Sequence, residues 1–227
     1  MRRSAVTGYE RSMRGYLLCG LIAIELLMSF SFLGYFHIEP ISITFAYIPI
    51  LIAGCLMGPL ESTLLGVVFG LASMWKASAS YVSAGDRIFS PLLSGAPIQS
   101  ILVSVGARAL FGLLVGLLYL WAKKRSRHRT LWIAAISFVG KTLHSILVYG
   151  FLSLLFPEDG YRVSNAIYNF FDASNLIALF VTMGICLACW KIWNAPYLRR
   201  YRQRLALADN HSLAGPNSKI FQAVVVL

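Results

Sequence analysis

Apolar residues gather into long blocks separated by short polar stretches, and the blocks are too long and unbroken for the alternation of a half-buried strand. The most informative block is Ile41–Trp75, ISITFAYIPILIAGCLMGPLESTLLGVVFGLASMW. Two apolar runs, roughly Ile43–Met57 and Leu60–Trp75, meet there at Gly58–Pro59 with no residues to spare for a loop. At ~1.5 Å per residue each run reaches about 22–24 Å, short of a ~30 Å hydrocarbon core unless flanking residues extend it. Pro49 falls near the middle of the first run, where its missing backbone donor predicts a kink or break. Gly54/Gly58 and Gly66/Gly70 are small-residue pairs at helical spacing, which let helix backbones approach closely in lipid. A short, Pro/Gly-interrupted helical hairpin points to a solute site in a transport protein.

The other blocks extend the pattern. A first span covers Tyr16–Phe36 and leads to a tight outer turn, His37–Pro40; the hairpin supplies the second and third spans. Residues 76–97 form a Ser/Ala/Gly/Pro segment long enough to be a functional loop such as a lid. The fourth span covers Ile98–Trp121, the fifth Thr130–Phe156, and after the turn PEDGYR the sixth covers Asn165–Trp193. The expectation is an all-α polytopic membrane protein with six transmembrane helices. A basic tail (1–15) precedes the membrane domain (16–193), and a polar tail (194–227) follows it. There is no internal repeat, and no small-residue cleavage site follows the first run, which is read as retained.

Composition and charge then narrow the class. The chain is 58% hydrophobic and 13% charged, with mean hydropathy +0.69. Soluble domains run about 45–50% apolar and ~25% charged, so a soluble globule is excluded. The net charge of +11 would suit nucleic acid, but its location argues for a membrane instead. Basic residues cluster at Arg2–Arg14, at Lys123–Arg129 (KKRSRHR) and at Arg199–Arg204, while the intervening loops hold only Lys76, Arg87 and Arg162 beside several acids. That positive-inside pattern places all three clusters, and hence both termini, in the cytoplasm. Trp and Tyr residues mark both borders, among them Tyr35, Trp75, Trp121 and Trp193.

Polar residues within the spans are where chemistry is expected. Counting ~1.5 Å per residue from the inner basic boundary puts Arg108 and His144 about 22 Å up, Lys141 near 18 Å, and Asn175 about 24 Å with Asp172 one turn higher. Lys141 and His144 share a face of the fifth span, and Tyr168, Asp172 and Asn175 share a face of the sixth. A charge near the bilayer centre costs about 2.5–3.5 kcal/mol on the lenient insertion scale and is tolerated only when paired or facing a polar cavity. Two arrangements meet that demand. Arg108 and Lys141 can form the positive wall of a pocket for an anionic solute, with His144, Asp172, Asn175 and Tyr168. Alternatively Arg108 pairs with Asp172, and Lys141 with Glu25 at about 16 Å on the first span. Glu61, just after Pro59, suits the positive end of a helix.

Catalytic motifs are absent: no GxSxG, HExxH or P-loop occurs. Cys186 and Cys189 form a CxxC within an apolar helix, read with Cys19 and Cys55 as small packing residues and not as a metal site. No cofactor is implied, and the chain is read as a non-enzyme that cannot itself hydrolyse ATP.

In sequence order, ISITFAYIPILIAGCLMGPLESTLLGVVFGL, SPLLSG, ILVSVGARALFGLLVGLLY and LHSILVYG resemble the substrate-binding S components of energy-coupling factor (ECF) vitamin transporters, the family with riboflavin-, folate- and pantothenate-type members. The likeness covers most of residues 16–193. It implies a bacterial plasma-membrane protein that binds a vitamin from outside. It also implies partnership with a transmembrane coupling subunit and two ATP-binding subunits. Family members dock the coupling subunit through an Ala-xxx-Ala pair on the first helix, where this chain has Cys19 and Ala23; Gly54 and Gly66 are further small residues read as docking positions. Many members carry proline before the fourth-span arginine, where this chain has Ala107. A membrane sensor for the same kind of solute is the alternative, although nothing after Asn194 resembles a kinase or cyclase.

The three basic clusters generate a topological prediction. Single cysteines introduced across Ser78–Ser90 should react with an impermeant reagent from outside, and Ser126→Cys and Ser212→Cys should not. External labelling of Ser126→Cys would invert the topology.

Overall fold

The computed structural model describes residues 2–31, 35–38, 41–79, 84–125, 128–159, 163–164, 173–198 and 200. The described chain is helical apart from one small hairpin. α1 is Arg2–Phe30, β1 Tyr35–Ile38, β2 Ile41–Thr44, α2 Ile48–Leu56 and α3 Pro59–Ala79. A 3-10 helix at Ala84–Phe89 precedes α4 (Pro97–Ile101), a π turn (Leu102–Gly106) and α5 (Ala107–Arg125). α6 is Arg129–Leu155 and α7 is Ala173–Asn194. The chain divides into two compact units, Met1–Cys19 with Lys191–Leu227, and Gly20–Trp190. The first holds the start of α1 and the end of α7; the second holds the features described below.

Among the described residues, four stretches are long and apolar enough to cross a membrane: Met13–Phe30, Pro97–Lys124, Arg129–Leu155 and Asn175–Asn194. Large apolar side chains on these and neighbouring helices face outward, including Leu60, Leu131, Leu154 and Ile177. In water such exposure would be a liability; in lipid it is the ordinary surface.

The central hairpin differs from the expectation at two points. The run from Ile43 does not begin a helix, because Ile41–Thr44 pairs antiparallel with Tyr35–Ile38, Ile38 opposite Ile41 and Tyr35 opposite Thr44. Ile41, Ile43 and Thr44 are β-branched and suit a strand better than a helix start. Tyr35 and Phe36 accordingly leave the first helix, which ends at Phe30. Pro49 does not kink a helix either. It sits in the first turn of α2, where no intrahelical donor is required of it. α2 is therefore nine residues long, only about 13 Å, and most of it is buried. Gly58 (φ +149°) then reverses the chain into Pro59, and its N–H donates to Ala53 O at 3.1 Å.

The tightest packing is between α3 and α5. A Cβ built on Gly66 would collide with the carbonyl of Arg108, one on Gly112 with the carbonyl of Ser62, and one on Gly116 with Pro59 Cα. A Cβ on Gly70 would come within 2.6 Å of Val105 Cα and 2.7 Å of Ser104 O. The partners run in strict antiparallel register. Each four-residue step along α3, Ser62 to Gly66 to Gly70, is a four-residue step back along α5 and the π turn, Gly112 to Arg108 to Ser104. Ser62 Oγ adds a hydrogen bond to Gly112 O at 2.7 Å. Beside that stripe, Val103, Ala107, Phe111, Val115 and Tyr119 form a second one, fully buried, against α2 and α6.

Interhelical hydroxyl bonds tie the remaining helices in. Tyr119 Oη meets Ser137 Oγ of α6 at 2.7 Å, and Tyr47 Oη, just before α2, meets Thr182 Oγ1 of α7 at 2.8 Å. Leu51 packs where a Cβ on Gly140 would fall, so α2 also presses on α6. Gly54 is buried against Tyr119, Val115 and Gly116. The expectation that Gly54 and Gly66 present a docking face to another subunit is thereby corrected. Both lie inside the chain's own packing, where α5 fills the space their missing side chains leave.

This packing predicts a graded response to added methyl groups. Gly66→Ala and Gly112→Ala force two backbones apart and should each destabilise by about 1–3 kcal/mol or more. Gly184→Ala, which meets nothing within 4 Å, should be neutral or stabilise by about 0.5–1 kcal/mol. Thermal unfolding in detergent reads the order directly.

Candidate ligand site around Arg108

The α3–α5 register determines where Arg108 lies. Its carbonyl opposes Gly66, so its side chain meets α3 at Phe69 and Ser73. Nη1 donates to Ser104 O at 2.8 Å, within the π turn, and Nη2 donates to Ser73 Oγ at 3.0 Å. π turns of this kind are frequent at functional positions. The guanidinium carbon stands 4.7 Å from the Phe69 ring centroid and 5.4 Å from that of Phe89. Arg108 is only 6% exposed. An aromatic face near a desolvated guanidinium contributes about 0.5–2 kcal/mol.

Phe89 ends the 3-10 helix between α3 and α4, a segment strapped down by serines. Ser100 Oγ donates to Ile88 O at 2.6 Å and Ser104 Oγ to Phe89 O at 3.0 Å. Ser78 Oγ meets the buried Ser90 Oγ at 2.8 Å. Ser104 thus does two things at once. Its hydroxyl holds the Phe89 backbone, and its carbonyl holds the Arg108 guanidinium.

His144 lies in the same cluster. Its ring is surrounded by Phe111 (5.2 Å, edge-on), Phe69 (5.8 Å) and Tyr47 (6.2 Å, stacked). Phe69 is therefore shared between Arg108 and His144. Lys141, a half-buried residue one turn earlier on α6, also acts electrostatically on His144, as Arg108 does. Glu25 of α1 is fully buried, accepts a hydrogen bond from Ser29 Oγ at 3.3 Å, and feels the charge of Arg108.

The structure thus brings Arg108, His144 and Lys141 together. Asn175 occupies the first turn of α7 and is partly buried. Tyr168 and Asp172 lie outside the described residues, and with them the Arg108–Asp172 pair. Of the suggested Lys141–Glu25 pair, Glu25 takes a hydrogen bond from Ser29 Oγ within α1. Ala23 is exposed on α1. Sequence reasoning missed the aromatic walls, Phe69, Phe89, Phe111 and Tyr47. The available signal was weak: Phe111 follows Arg108 by one turn and Phe69 precedes Ser73 by one. Among the described residues no three His, Cys, Asp or Glu side chains form a metal-ligand group.

A buried cation between aromatic rings, under a strapped segment, is equipped to bind. The guanidinium keeps its charge at any physiological pH and offers planar donors to an acid group; the rings offer apolar walls.

The family described as ECF transporter, substrate-specific component matches residues 21–197 of this chain. The chain belongs to that family. Among curated proteins none matches it. As an ECF substrate-specific component it is a substrate-binding subunit of a membrane transporter, a role that fits its apolar helices. The matched range contains every residue of the Arg108 cluster. Membership implies association with the coupling and ATP-binding subunits of an ECF transporter.

Proposed function

We propose that this ECF substrate-specific component captures a small acidic vitamin from the outer face of a bacterial plasma membrane and delivers it through a coupling subunit and two ATP-binding subunits. The observation that carries the reading is Arg108, buried between Phe69 and Phe89 with His144 and Lys141 alongside. A desolvated guanidinium, with Lys141 as a second cation acting on the same His144, favours an anion, and aromatic walls favour a partner with an apolar or planar body. A pantothenate-like acid fits first, and folate- or riboflavin-like molecules next. Asn175, Asp172 and Tyr168 belong to the same proposal as polar groups at the head of α7 and just before it.

The reading includes six membrane crossings with both termini cytoplasmic, which the three basic clusters support. The second crossing is then β1–β2 with α2, and the third is α3. Non-helical backbone at membrane depth is tolerated where protein covers it, and α2 is mostly buried. Docking of the coupling subunit falls to the exposed small residue Ala23 on α1, in place of Gly54 and Gly66.

Arg108→Lys tests the reading. An ammonium cannot reproduce the paired donors of a guanidinium, so affinity for the cognate vitamin should fall by about 1.5–3 kcal/mol, the range for hydrogen bonds to charged groups. Insertion and folding should persist. Calorimetry on the purified variant measures the loss, and unchanged affinity removes Arg108 from the site.

A further inference from the structure

Where α5 ends and α6 begins, two tryptophans lock the helices together without being hidden. Trp121 and Trp132 meet edge-on, ring centroids 5.1 Å apart, yet they stay 43% and 41% exposed. Their contact sets an outward stripe of α5 beside an outward stripe of α6. Toward its C-terminus the α5 stripe runs Leu117, Trp121, Lys124; from its N-terminus the α6 stripe runs Arg129, Trp132, Ala135. All six residues are exposed, and steps of three or four keep each set on one helix face. Because the helices run antiparallel, the stripes carry the same layers in the same order: a cation, an indole about 4.5 Å further along, then an aliphatic side chain. A phospholipid has matching layers, with phosphate outermost, the glycerol esters next and the acyl chains last. Indole rings settle at the middle level of such a border.

Lys123 does not join this face. It lies about 200° round α5 from Trp121, and its Nζ stands over the Trp190 ring of α7 at 5.6 Å. The hairpin brings no acid of its own, since no Asp or Glu occurs between Asp86 and Glu158. A bias of basic residues toward one side orients a chain in a bilayer and asks nothing of geometry. Two matched stripes ask more. We propose that this end of α5 and α6 is a binding site for one anionic phospholipid. Lys124 and Arg129 take the phosphodiester, Trp121 and Trp132 the glycerol esters, and Leu117 and Ala135 the start of an acyl chain. Two cations at one phosphodiester select a headgroup without an ammonium of its own, so phosphatidylglycerol binds in preference to phosphatidylcholine. Lys124 is about 24 Å along α5 from Arg108, and the site is independent of any solute held there.

The test uses the full chain in nanodiscs of phosphatidylcholine with increasing phosphatidylglycerol. One of the two lipids carries brominated acyl chains, and quenching of tryptophan fluorescence gives the relative affinity for each. Wild type should prefer phosphatidylglycerol by about fivefold or more. Lys124→Gln with Arg129→Gln should lose most of that preference and keep the wild-type melting temperature, because both side chains are exposed. Arg199→Gln with Arg200→Gln removes the same charge from another basic cluster and should leave the preference intact. Absence of any preference in wild type would overturn the proposal. Equal loss in the two double variants would overturn it as well, by reducing the effect to diffuse surface charge. Lys124→Gln against Lys123→Gln repeats the comparison at a single charge, and there too the first alone should lower the preference. Release of the brominated phosphatidylglycerol by millimolar inorganic phosphate would assign the two cations to a soluble anion and overturn the lipid site.

Discussion

The close approach of α3 and α5 is the constraint on which the rest depends. Gly66 and Gly70 admit the backbone of one helix, Gly112 and Gly116 that of the other, and Ser62 locks the pair with a hydrogen bond to Gly112 O. In lipid there is no hydrophobic drive to press helices together, so contact must come from close packing and interhelical hydrogen bonds. The same register carries the chemistry. Because Gly66 meets the Arg108 carbonyl and Gly70 meets Ser104, the guanidinium is delivered to Phe69 and Ser73, and the Ser104 hydroxyl to the carbonyl of Phe89. Slip the register by one turn and the cation would face different residues altogether.

Around that pair, polar groups are placed so that the buried cation has surroundings it can tolerate. Ring faces, a backbone carbonyl and a serine hydroxyl share the guanidinium. The helices further out are joined by hydroxyls, Tyr119 with Ser137 and Tyr47 with Thr182. Tyr47 also stacks on His144, so the link to α7 reaches the cluster itself.

Much of the fold was legible in the sequence because membrane spans announce themselves by length and apolarity, and loops by charge. The depth count along straight helices was enough to bring Arg108, His144 and Lys141 to one neighbourhood. It failed where the backbone departs from a helix. Pro49 marks a helix start and not a kink, and Ile41–Thr44 is a strand, because β-branched residues after a turn read equally well as the head of an apolar helix. Gly54 and Gly66 were legible as close-packing residues but not as to what packs on them; a GxxxG names a need for proximity and is silent on the partner. The aromatic walls were hidden for a similar reason. Phenylalanines are common in every span, and only the α3–α5 register and the serine straps select Phe69 and Phe89.

The central claim is that Arg108 is held ready for an acidic guest, and the most direct measurement is native mass spectrometry of the protein released gently from its own membrane. The account predicts a single small molecule carrying an acid group bound to the wild-type chain and absent from Arg108→Ala of equal fold and yield. Equal retention of one molecule by both proteins, or a bound molecule without any acid group, would contradict it.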